Sequence, residues 1–195
     1  QISIAPKKLI LNMEQKQPKE SKLIILKSVA QEIEDSFKKD NKWATIIDEE
    51  GNAEVFLKYQ GSNLFSIAEK EMQPESIGRS LLKMCPYPRT MTFNFLDLPY
   101  QDVFDDKYFP IKVMDPKWIG NYTNVNELRK NFPDEFKEDL HCNPDFKICF
   151  LFKRDNVPDL LYEHSKVLEI VKPEEIDEKL AEREEAKKKA QAAKQ

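Results

Sequence analysis

Apolar residues recur along this chain in short runs divided by polar stretches, and the spacing within each run predicts its conformation. Ile2 and Ile4 alternate with polar neighbours, and Leu9, Ile10, Leu11 and Met13 form a second run, so two strands are expected at the start. A polar stretch containing Pro18 separates these from residues 23–26, a run too short for a helix, at hairpin-like spacing. Val29, Ile33 and Phe37 recur among charged residues and predict one face of an amphipathic helix ending near Lys39. Residues 43–47 and 55–59, on either side of a turn carrying Gly51, predict a second hairpin.

Leu64, Phe65 and Ile67 predict a further strand. Gln73-Pro74-Glu75 predicts a helix start, because the first turn does not need the N–H that proline lacks. Ile77, Leu81 and Met84 line one face of that helix, and Pro86 and Pro88 stop it. Residues 90–95 then alternate as a half-buried strand should, with Met91, Phe93 and Phe95 on one side. From 97 to 143 the composition shifts to aromatics, prolines and aspartates, with short helices expected at 125–131 and 134–140, which reads as an extension wrapped over the first domain. Two more strands are expected at 148–152 and 167–171, with a short apolar patch at 160–162 between them. After Pro173 the chain is rich in Ala, Glu and Lys, acids first and lysines last, an order that suits a helix macrodipole. Ile176 and Leu180 are its only large apolar residues, so this helix is expected to be exposed or docked on a partner.

Charge and composition narrow the function. Lys and Arg number 31 against 35 Asp and Glu, a net charge of −4 that argues against a dedicated nucleic-acid binder. No apolar run approaches the ~18 to 20 residues of a membrane-spanning helix, so no transmembrane segment is expected, and any membrane contact is peripheral. Gly51, Gly61, Gly78 and Gly120 are isolated, which excludes a Walker loop and a Rossmann fingerprint, and no cofactor motif is found. Cys85, Cys142 and Cys149 form no CxxC pair, and their odd number points to a reducing, intracellular compartment rather than a disulfide framework. The opening at Gln1, without an initiator methionine, is compatible with an excised targeting peptide, and hence with a plastid or mitochondrial location.

Residue types able to support chemistry are present but scattered. His141 and Cys142 are adjacent, with only His164 and Cys149 as further candidates, whereas a zinc site takes about four ligands at recognisable spacing. Cys85 reads as a small buried hydrophobe. The acidic pairs Asp105-Asp106 and Glu49-Glu50 read as solvated loop positions in so charged a chain. Lys7-Lys8 and Lys38-Lys39 have acidic neighbours that cancel their field, and only residues 187–189 carry a local basic excess. Tyr100, Phe104, Tyr108, Phe109, Trp118 and Tyr122 form an aromatic group suited equally to a core or to a partner interface.

Residues 57–95 follow the order strand, tight turn, strand, helix, alternating strand. Gly61-Ser62-Asn63-Leu64-Phe65-Ser66-Ile67, then Ser80-Leu81-Leu82-Lys83, then Thr90-Met91-Thr92-Phe93 resemble the second half of a PDZ domain. Residues 7–13 fall where that family has its carboxylate-binding loop and second strand, although both loop glycines are replaced, by Lys8 and Ile10, and the aspartate after Gly61 is Ser62. The resemblance spans residues 1–96 with an insertion near 37–52. It implies an α+β chain whose first part is a PDZ-like, partly open β-barrel or sandwich with two helices. It further implies a groove for an added peptide strand, formed by Lys8, Leu9, Ile10, Leu11 and Met13 on one side and Glu75, Arg79 and Leu82 on the other.

The expected organisation is therefore a PDZ-like domain (1–96), an irregular aromatic and proline-rich extension with short strands (97–172) and a charged C-terminal helix (173–195). The function expected is a non-catalytic interaction module, a peripheral or linker subunit whose partners are protein subunits of a larger assembly, in an organellar membrane complex. Two alternatives accompany it: an adaptor that recruits a partner by strand addition, and an accessory domain of a larger enzyme.

Overall fold

The computed structural model, which describes residues 20–59, 64–67, 73–96, 102–153 and 156–192, turns short continuous apolar runs into strands and more widely spaced ones into helices. In chain order these are β1 (Lys22–Ile24), α1 (Val29–Lys38), β2 (Trp43–Ile47), α2 (Ala53–Tyr59), β3 (Leu64–Ile67), α3 (Pro74–Met84) and β4 (Thr90–Phe95). They continue with α4 (Pro116–Ile119), α5 (Tyr122–Arg129), β5 (Lys147–Phe152), α6 (Asp159–His164), β6 (Ser165–Ile170) and α7 (Ile176–Ala192). The mixture of helix and strand expected of an α+β chain is present.

The strands form one open sheet in the order β1-β6-β2-β5-β4-β3, and every neighbouring pair is parallel. β2 is buried at every position, and β5 at every position after Lys147, as strands covered on both faces must be. Alternation along each strand sorts the side chains onto two faces. Trp43, Ile47, Met91, Phe93, Phe95, Ile148, Phe150, Phe152 and Val167 form an aromatic face. Across paired strands, Phe93 stacks on Phe150 and Phe95 on Phe152, each at 4.8 Å between ring centroids. Ala44, Ile46, Cys149, Leu151 and Leu168 form the opposite, aliphatic face.

The direction of each connection decides which face its helix covers. From β1 to β2 and from β2 to β3 the chain moves toward the β3 edge, and α1 (Val29, Ile33) and α2 (Ala53, Leu57) cover the aliphatic face. From β3 onward it moves back, and α3 (Ile77, Leu81, Leu82), residues 102–146 and α6 (Leu161) cover the aromatic face. A single hand of crossover requires this exchange of faces when the direction reverses.

Several expected elements take other forms. No barrel or sandwich closes, because the described strands pair only in parallel and each connection must cross a face rather than turn back. The expected hairpin at 43–59 is a strand followed by α2: Val55, Phe56 and Tyr59 have strand propensity, but Asp48 caps a helix whose Ala53 and Leu57, one turn apart, both reach the core. The expected strand at 23–26 is shorter and gives way to a turn at Leu26–Ser28, and residues 1–19, with the expected strands at 2–4 and 9–13, lie outside the described residues. α1, α3, β3 and β4 occur where the spacing predicts them, except that β4 is covered on both sides, with Thr92 as inaccessible as Phe93. The stretch 134–140 forms turns rather than a helix, and 160–162 lies in α6. The stretch expected as an extension is not a separate layer, since its described residues contribute β5 and β6 to the interior of the same sheet.

The cover over the aromatic face rests on a close backbone approach. A Cβ on Gly78 would stand 2.1 Å from the Tyr108 carbonyl oxygen and 3.0 Å from its carbon, so residues 105–109 lie directly on the α3 backbone. Asp105 fixes that turn, its Oδ1 accepting the N–H of Tyr108 at 2.6 Å and of Phe109 at 2.8 Å. We expect Gly78→Ala to cost about 2 to 4 kcal/mol in urea unfolding, because backbone must move to admit the methyl group. Gly120→Ala, whose Cβ would meet the Pro116 carbonyl oxygen at 3.2 Å and the Lys117 carbonyl oxygen at 3.9 Å, should cost less than about 1 kcal/mol.

Candidate functional site

In a parallel sheet all strands end at one edge, and a crevice opens there wherever neighbouring strands send their connections to opposite faces. β1 and β2 lead to helices on the aliphatic face, whereas β6, between them, leads through a turn at Pro173–Glu175 into α7. The chain therefore diverges around the carboxyl ends of β1, β6 and β2. A cavity of about 500 Å³ lies at that point. Its walls carry Ile25, Leu26, Phe56, Ile170, Val171 and Pro173, and charged residues of both signs border it, among them Lys27, Glu50, Lys172 and Lys179.

Asp48 shapes one lip. Its carboxylate is almost inaccessible, with Oδ1 accepting the Gly51 N–H at 3.0 Å and Oδ2 the Ala53 N–H at 2.6 Å. Gly51 takes a φ of 75°, which lets the chain turn tightly from β2 into α2. The Asp48 N–H donates to the Phe152 carbonyl at 2.8 Å, so the lip is anchored to β5 as well. Across the mouth, Lys172 Nζ lies 3.2 Å from Glu50 Oε1, and this hydrogen bond and charge hold the ammonium above its ordinary pKa.

Glu169 shapes the other side. It is the one acidic residue in β6, and its side chain is 4% exposed. Arg183 Nη2 reaches its Oε2 at 2.5 Å, the Ser21 hydroxyl donates to the same oxygen at 2.9 Å, and Lys179 Nζ lies 3.8 Å from Oε1. Arg183 Nη1 also donates to the Ser21 carbonyl, and Lys187 pairs with Glu20 at 2.8 Å. α7 is thus attached by charge: none of its residues is buried, and Leu180 is 47% exposed.

The expected groove is not assembled among the described residues. Lys8, Leu9, Ile10, Leu11 and Met13 lie outside them. Leu82 is fully buried against the aromatic face, so it cannot face an added strand. Arg79 bridges Glu75 at 2.9 Å and Glu135 at 2.5 Å, with its guanidinium 5.6 Å from the centre of the Phe132 ring.

The aromatic group is mostly cover for the sheet. Phe109 is fully buried, 5.6 Å from Phe93 and stacked on Phe104 at 5.2 Å, and is therefore unavailable to a partner. Tyr108 packs on Phe132, Trp118 packs against the core, and Tyr100 is not among the described residues. Tyr122 is exposed, donates to Asp139 and lies beside the His141 ring. Among the scattered chemical candidates, Cys149 is enclosed in the sheet, where burial pushes its thiol up to about 12. Cys142 packs against the core cluster that contains Cys85, although the two are far apart in sequence. Lys38 pairs with Glu34, Lys39 with Asp35 and Lys189 with Glu185. No group of three or more His, Cys, Asp or Glu is placed to hold a metal ion among the described residues, and no described helix is long and apolar enough to cross a membrane.

Asp48, Glu169 and Arg183 were not singled out by sequence reasoning. The available signals were an aspartate directly after a strand apolar but for Thr45 and a lone carboxylate inside an apolar run. Asp48→Ala should cost about 1 to 3 kcal/mol, through loss of two bonds to a buried acceptor, and Asp48→Asn less, since one carbonyl oxygen remains. Urea titration checks the cost, and faster amide exchange at Gly51 and Ala53 checks that the lip is the part released. The chain matches no protein-family model, and a comparison with curated proteins finds no match either.

Proposed function

We propose that this chain is a non-catalytic interaction subunit that joins a larger protein assembly through the carboxyl-edge crevice and the helix rising beside it. The observation that carries the reading is the continuity of these two features. Glu175 and Lys179, at the base of α7, border the crevice, and the helix then runs on to Ala192 with no buried residue. A helix polar on nearly every side gains little from folding against its own domain and suits bridging between bodies. On this reading a partner places an apolar side chain between Phe56 and Ile170 and meets both signs of charge along α7. Leu180, exposed on the helix, supplies the apolar contact on that side.

The test uses the tagged chain recovered from its native source under mild conditions. The chain should elute in a stoichiometric complex much larger than its own 22.9 kDa. Leu180→Asp should leave Tm within about 1 °C while lowering partner recovery about tenfold, the effect of losing one buried leucine contact. A wild-type chain that is monomeric in the native extract sinks the proposal.

A second reading is favoured by the position of the cavity, since the carboxyl edge of a doubly wound sheet is where small ligands bind. On it the occupant is a small apolar anion, with Lys27 at the rim. Anilinonaphthalene sulfonate should then bind the folded chain saturably at one site and lose that binding in Phe56→Asp. Absence of saturable binding to the folded wild type removes this reading.

A further inference from the structure

Three observations bring two cysteines together at the opposite edge of the sheet. Cys85 closes the C-terminus of α3, its N–H donating to Leu81, and its carbonyl accepts the Asn143 N–H at 2.6 Å. Through that one bond the Cα atoms of Cys85 and Cys142 are separated by no more than roughly 7 Å, about the upper limit of disulfide reach. Cys142 packs against the core cluster that contains Cys85, and the two side chains interact, while the Cys85 S–H donates to the Leu82 carbonyl at 3.8 Å and the Cys142 S–H to the Asn143 carbonyl at 3.6 Å. Access is unequal, because Cys85 is fully buried while Cys142 is partly open to solvent. The interaction between the two side chains lowers the pKa of Cys142 and, together with burial, raises that of Cys85.

We propose that Cys85 and Cys142 are a reversible dithiol–disulfide couple, reduced in this structure and oxidised by a low-molecular-weight disulfide of the glutathione class. Cys142, the accessible sulfur, gives up its proton and attacks one sulfur of the oxidant. The oxidant's S–S bond breaks, one thiolate leaves, and Cys142 carries a mixed disulfide. Cys85 then attacks the Cys142 sulfur and displaces the second thiolate, which takes the Cys85 proton. Two thiols are oxidised, one disulfide is reduced to two thiols, and two electrons pass between them. Because the backbones of Cys85 and Asn143 are already bonded to each other, the second step needs little movement of the backbone. The new bond closes the loop 86–141, which contains β4 and most of the cover over the aromatic face. Cys149 takes no part, as it is enclosed on the aliphatic face.

The experiment incubates the reduced, folded full-length chain with oxidised glutathione, alkylates the remaining thiols and maps the peptides without reduction. The expected result is a peptide pair joining Cys85 to Cys142, alkylation of Cys149 after unfolding, and a rise in Tm of about 5 to 15 °C that dithiothreitol reverses. Cys85→Ser should accumulate a stable glutathione adduct on Cys142, whereas Cys142→Ser should leave Cys85 unmodified while folded. No Cys85–Cys142 link in the wild type, or a link through Cys149 instead, overturns the proposal. Equal adduct formation at Cys85 and Cys142 in the two single variants overturns the assigned order of attack. Wild-type mapping is decisive for the couple even where a variant folds poorly.

Discussion

A sheet whose strands all run one way must be covered on both faces, and each of its connections must return the chain to the edge where it began. Most of this structure follows from that constraint. The returns on one side are brief, and α1 and α2 suffice to cover an aliphatic face of small and branched residues. The other face carries Phe93, Phe95, Phe150 and Phe152, stacked in pairs, and demands a broader cover. Residues 102–146 supply it without long helices, by laying Val103, Phe109, Val113, Ile119 and Phe132 over the rings. An irregular segment of that length is stable because Asp105, Asn126 and Arg129 satisfy its backbone and close its turns.

The local periods were legible in the sequence; strand direction and order were not. Val29, Ile33 and Phe37 specify α1, and Pro74 with Ile77 and Leu81 specifies α3, because helical spacing and a proline start have few other readings. Residues 43–59 show the limit. Apolar run, acidic turn with glycine and second apolar run describe a hairpin as well as a strand and helix, and the choice depends on whether Ala53 and Leu57 find a core one turn apart. The buried runs of β2 and β5 were the clearest sign of a parallel sheet, since neither leaves a polar face to water. Of the crevice, only Glu49 and Glu50 stood out in the sequence as candidates for chemistry, and those read as solvated loop positions. Its walls come from three strand ends far apart in the chain, so no local pattern could assemble them.

Charge does different work in different places here. The exposed pairs along α1 and α7, such as Lys38 with Glu34 and Lys189 with Glu185, contribute little to stability and are weakened by salt. Glu169 is another case. Its carboxylate is nearly closed to water and satisfied by Arg183, Ser21 and Lys179 together, so removing one partner leaves the others with part of a buried charge to neutralise. That arrangement fixes where α7 leaves the sheet without fully burying any of its residues, which keeps the helix both oriented and available.

The two ends of the sheet consequently differ in kind. At the amino edge, the Trp43 indole N–H donates to the Val113 carbonyl at 2.7 Å, Lys147 bridges to Glu34 at 2.7 Å, and Cys85 bonds Asn143, so helices, cover and strands are tied together. At the carboxyl edge the corresponding ties are the Asp48 cap and the Glu50–Lys172 pair, which hold the lips in place and leave space between them. Recognition needs surface that folding has not already consumed, and redox chemistry at a thiol pair needs two sulfurs held together by structure that persists. The open edge meets the first requirement and the tied edge meets the second, so an exchange at Cys85 and Cys142 leaves the walls of the crevice untouched.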